Sequence, residues 1–195
     1  MDEDTGDASA FVSYVPGSKD LELHVNTSTF LSVMDSQGDW PNQPLDQLIA
    51  HEMTHAVMAA TTSMGTAAGA SQMPKWFSEG VAELVPGGDF RVNNVLTGGA
   101  AAAQVIAELD NIQGSNWDTT HIQYAAAYVA TRMLHDEIQS LGAGFEGGIK
   151  HLTEYLAADT TRTLDNYFTD VLQPVKGANF ADANAFIDNV VQATG

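Results

Sequence analysis

The chain has 195 residues, no cysteine, and 25 acidic against 7 basic side chains, a formal net charge of −18. That length fits one domain with a core of its own, and that charge repels nucleic-acid phosphates and anionic membrane surfaces. No apolar run is long enough to cross a bilayer, and without thiolates any bound metal must be held by histidine and carboxylate.

The first ten residues, MDEDTGDASA, are acidic where an export signal is basic and then apolar, so they read as the edge of a domain taken from a longer protein. Strands are expected from Phe11 to Val15, from Leu21 to Val25 with strict apolar alternation, and from Phe30 to Met34. Pro16 to Asp20 makes the turn between the first two. From Pro44 onward the pattern is helical, with helices expected near 44–60, 74–85, 100–110, 119–141, 146–157, 163–173 and 180–192. Thr61 to Gln72, small and polar, reads as a surface loop between the first two helices. The fold class is therefore α+β in one domain, 1–195: a strand-rich part (1–43) with a small mixed or antiparallel sheet, then a helical part (44–195).

The chemistry concentrates in the first two helices. In the first, Ile49, Met53, Ala56, Val57 and Ala60 recur with a 3.6-residue period and are expected to form its core face. His51 and His55 stack one turn apart on the other side, with Glu52 beside them. Two imidazoles at that spacing can reach one zinc ion, but a hydrolytic zinc needs a third protein ligand and an open position for water. The second helix, PKWFSEGVAEL, is expected to bury Phe77, Val81 and Leu84, to end before Pro86-Gly87-Gly88, and to carry Glu79 and Glu83 on the opposite face. Gly80 costs roughly 1 kcal/mol of helix propensity against alanine, which a close approach to the histidine-bearing helix would explain.

HEMTH followed by WFSEGVAEL resembles the gluzincin metallopeptidases, the clan of thermolysin-like and collagenase-like enzymes. Within it, both motifs and the acidic, cysteine-free composition are most similar to flagellinolysins, proteolytic domains in the variable region of bacterial flagellins. The resemblance is specific over residues 45–85. It implies a zincin-like fold, one catalytic Zn2+ held by His51, His55 and Glu79, and Glu52 as general base. It also implies that Glu83 bonds the distal nitrogen of a zinc-ligating histidine, fixing its tautomer. The spacing between the motifs is longer than in thermolysin-like members, and Glu stands where an Asp is usual at position 83. Tyr124, leading YAAAYVATRML, resembles the tyrosine that points at the metal-bound substrate oxygen in many gluzincins, and is the candidate donor to the tetrahedral intermediate.

The other histidines lack a partner at ligand spacing, and core or surface roles are expected for His24, His121, His135 and His151, although His121 lies one turn before Tyr124 and could line the same cleft. His24 is expected to face solvent or substrate, and Leu21 to Asn26 or Phe30 to Met34 could offer the sheet edge for an extended peptide. Asp89 after two glycines could join a calcium site, but one acid does not support a claim.

The expected activity is zinc-dependent endopeptidase action on protein or peptide substrates, with no nucleic-acid or membrane partner. By resemblance the setting is the extracellular surface of a bacterial flagellum, through filament regions absent from this chain. The rival is a structural or adhesive flagellin insert whose zinc site is not catalytic, and the fourth coordination position separates the two: water for an enzyme, a protein side chain for a structural site.

Overall fold

The computed structural model describes residues 10–14, 21–25, 45–62, 73–113, 117–118 and 120–194. The expected strand at Phe30 to Met34, the turn at Pro16 to Asp20, and all of the loop after Thr62 lie outside them. Strands β1 (Ala10–Tyr14) and β2 (Leu21–Val25) pair antiparallel, with Val12 opposite Leu23 and Ser13 opposite Glu22. The helices are α1 (Leu45–Thr61), α2 (Lys75–Leu84), α3 (Asp89–Thr97), α4 (Ala102–Ile112), α5 (His121–Gln139) and α6 (Ile149–Ala157). A short α7 (Leu164–Tyr167) then runs through a π turn (Phe168–Leu172) into α8 (Gln173–Lys176), and a 3-10 turn (Ala178–Phe180) leads to α9 (Ala183–Thr194). The α+β class holds, as a small antiparallel sheet followed by helices.

Two helices organise the rest. α5 carries Ala125, Ala126, Ala127 and Ala130 fully buried, and side chains this small let neighbouring helices approach closely. α2 takes the nearest place against it, and Gly80 is the reason. A Cβ there would lie 2.0 Å from Thr131 Oγ1 and 2.4 Å from the Ala127 carbonyl oxygen. The glycine thus serves an approach to α5, and not to the histidine-bearing helix as the sequence suggests. Gly80→Ala is expected to cost about 1–3 kcal/mol through overpacking, more than the roughly 1 kcal/mol of helix propensity it gains. Urea unfolding measures the difference, and a variant as stable as the parent would contradict the close approach. Around this pair, Trp76, Phe77, Leu109, Leu134, Phe168 and Phe186 fill one continuous core.

The orientation of α1 differs from the sequence expectation. Ile49, Met53 and Val57 are 36%, 48% and 57% exposed, whereas His51, Glu52, Thr54 and Met58 are buried. Of the expected core stripe, Ala56 is buried and Ala60 is exposed. The physical reason lies in α2, which is buried on every side from Trp76 to Glu83. Its two interior carboxylates require polar partners, and the histidine face of α1 supplies them alongside Lys75 and Arg91. Met53 and Val57 instead line an open pocket of about 560 Å³ together with Val81 of α2, Val85 just after it and Ala157 of α6.

Candidate metal centre

α1 and α2 lie side by side, so residues one turn apart on each helix meet across the interface. His51 Nε2, His55 Nε2 and Glu79 Oε2 form a triangle: 3.1 Å between the two nitrogens, 3.1 Å from His55 to Glu79 and 3.3 Å from His51 to Glu79. A tetrahedral ion with ligand bonds of ~2.0–2.1 Å separates neighbouring donors by about 3.3–3.4 Å. The three donor atoms therefore already stand at nearly the spacing an ion would impose, and this buried group could hold a metal ion. Among the described residues no further histidine or acid joins the cluster. Compared with family models, with curated proteins and with solved structures, the chain matches none.

The groups around the triangle fix it in place. Lys75 Nζ lies 2.5 Å from Glu79 Oε1, which leaves Oε2 as the oxygen turned to the histidines. Glu83 Oε1 stands 3.1 Å from His51 Nδ1, an ion-pair contact to the nitrogen that lies away from the triangle. Tyr124 also reaches the site, its ring centroid 6.1 Å from that of His51 and edge-on to Trp117.

Charge and burial oppose each other here. Burial works against a charged His51, but Glu79 and Glu83 outweigh it and raise its pKa from 6.5 to about 9. Burial likewise opposes ionised Glu79, yet His51 and His55 hold its carboxyl well below the usual range. Glu83 is lowered by His51 and Arg91 against the same penalty. Burial pushes Glu52 upward, and the neighbouring histidines offset only part of it. Burial, reinforced by Glu79, pushes the Tyr124 hydroxyl up, so it remains a proton donor at any working pH. A pocket that draws a proton onto His51 this strongly is also one that favours a cation.

That competition has a measurable sign. The folded pKa of His51 lies above its unfolded value, so its contribution to stability is complete below about 6.5 and lost as pH rises through about 9. Chelated protein should therefore lose stability across that window. Saturating zinc, which takes the place of the proton, should flatten the slope. Urea unfolding at several pH values, with chelator and with zinc, reads both, and a flat profile for the chelated protein would contradict the pairing.

The four remaining histidines have other partners. His24 Nε2 meets Ser13 Oγ across the sheet at 2.8 Å and is partly buried. His135 Nδ1 accepts from the Ile149 amide, and His151 Nδ1 lies 2.8 Å from the Tyr167 hydroxyl. His121 Nδ1 is 3.2 Å from Arg91 Nη1, and the same guanidinium lies over the Tyr124 ring. Asp89 accepts a hydrogen bond from Tyr128, whose own pKa burial and that carboxylate raise to about 12.

The sequence reading missed α3 and with it Arg91, which is 5% exposed and 2.8 Å from Glu83 through Nη2. Its signals were nevertheless there: an acid in the first turn at Asp89 after two glycines, and Gly98-Gly99 as the stop. Weak apolar periodicity over Phe90 to Thr97 hid the helix.

Proposed function

We propose that the chain is a zinc-dependent endopeptidase of the gluzincin type. The observation that carries this is the triangle of donor atoms of His51, His55 and Glu79, spaced 3.1–3.3 Å apart, with the desolvated carboxylate of Glu52 on the same turn of α1. Zinc, when bound, would polarise a peptide carbonyl and acidify a water toward neutrality. Glu52 takes the proton from the attacking water and delivers it to the leaving amine. The upward push on its pKa suits that exchange, because a general base works best when its pKa approaches the working pH. Tyr124 donates from its neutral hydroxyl to the oxygen on which charge develops, and Glu83 holds His51 by its far nitrogen. The likeness of HEMTH and WFSEGVAEL to flagellinolysins supports a zincin-like fold, protein or peptide substrates, and display outside the cell on a flagellum.

The test is digestion of a mixed peptide library by the purified protein, with and without a zinc chelator, read by mass spectrometry. Internal cuts that the chelator abolishes and added zinc restores are the expected result. Stoichiometric zinc with no cuts would overturn the enzymatic reading in favour of a structural module.

A further inference from the structure

The segment after α2 is built to bring one arginine back to the site. At Gly88 a Cβ would lie 2.7 Å from the Glu83 carbonyl oxygen and 2.8 Å from Tyr128 Cδ2, so only a glycine lets the chain double back over the end of α2. Tyr128 of α5 then anchors the first turn of α3 by donating to Asp89, and the Arg91 amide bonds the Gly88 carbonyl at 3.0 Å. Three contacts of the guanidinium that results bear on the metal centre. Nη2 meets Glu83 Oε1 at 2.8 Å, Nη1 meets His121 Nδ1 at 3.2 Å, and Cζ lies 4.6 Å from the centre of the Tyr124 ring. Glu83 in turn touches His51, and Tyr124 borders it.

We propose that Arg91 is a positioning residue of the metal centre: through Glu83 it orients the His51 imidazole, and by covering Tyr124 it sets the ring beside that imidazole. The inference rests on His51 being a metal ligand. A lysine cannot replace it, since an ammonium is a point charge without the plane that covers a ring and the fork that spans two partners. Isolation from water makes the arrangement rigid, because a buried guanidinium is stable only while its partners stay in place.

The test compares R91K and R91M with the parent protein by zinc affinity against a chromophoric chelator, by the visible spectrum of the cobalt-substituted protein, and by thermal unfolding. Both variants should bind zinc about 10–100-fold more weakly, the range typical of lost partners behind a metal ligand, with an altered cobalt spectrum and no rescue by lysine. An arginine that only supports the fold would lower the unfolding temperature and leave affinity and spectrum at parent values, which overturns the inference. Should neither variant fold, Y128F, which frees Asp89 without touching the metal centre, should shift the cobalt spectrum, and an unchanged spectrum then overturns it. A parent protein that binds neither zinc nor cobalt overturns the metal reading itself, a failure distinct from that of Arg91 alone.

Discussion

Glu52→Gln is expected to keep the fold and one bound zinc while lowering peptide hydrolysis by roughly 10²–10⁴-fold, the usual worth of a placed general base. The amide is nearly isosteric, so the change removes a proton acceptor and little else. Glu52 is suited to such a test because it lies outside the triangle of donor atoms yet is buried beside it, on the helix that supplies both histidines. Burial opposes its ionisation, and replacing a carboxylate in that setting with a neutral amide is not expected to destabilise the protein. Two numbers decide the outcome: zinc stoichiometry by elemental analysis and kcat/KM on a peptide identified as a substrate. Parent-like turnover in a zinc-loaded Glu52→Gln protein would end the proposed mechanism.

Glu79→Ala should abolish tight zinc binding, because it removes one of three donors and the only carboxylate among them. The readout is the stabilisation that zinc confers. At a free concentration of 100 Kd a ligand adds about 2.7 kcal/mol, which for a chain of this size corresponds to roughly 5–11 °C in Tm. The parent protein should show that rise and the variant should lose it. Without metal the variant also leaves His51, His55 and Lys75 without the carboxylate they share, so a lower starting Tm is expected. A variant that keeps the full zinc-dependent rise would place the ion elsewhere.

Much of the site was legible because its spacing is local. Residues at i and i+4 on a helix share a face whatever surrounds them, so His51 with His55 and Glu79 with Glu83 could be paired from the chain alone. The ends of α2 were legible too, since proline and glycine act on the backbone directly. What the chain could not show was which face of α1 turns inward. Its apolar stripe pointed to Ile49, Met53 and Val57, and hydrophobicity argues for burying them. The opposite face is the buried one because α2 is buried from Trp76 to Glu83, wedged by Gly80 against Ala127 and Thr131 of α5. A helix so placed carries Glu79 and Glu83 into the interior, and unpartnered carboxylates there cost more than a few exposed methyl groups.

Arg91 lies at the same boundary between local and global. Its helix has start and stop signals but little periodicity, and its partners come from α2 and α5, up to 33 positions away along the chain. The sequence by itself determined the residue types, their pairing on each helix and hence the capacity for a histidine and carboxylate site. Only the tertiary structure decided that the two pairs face each other out of water, because burial of a charge is settled by every element that packs around it, and the chain near that charge does not encode it.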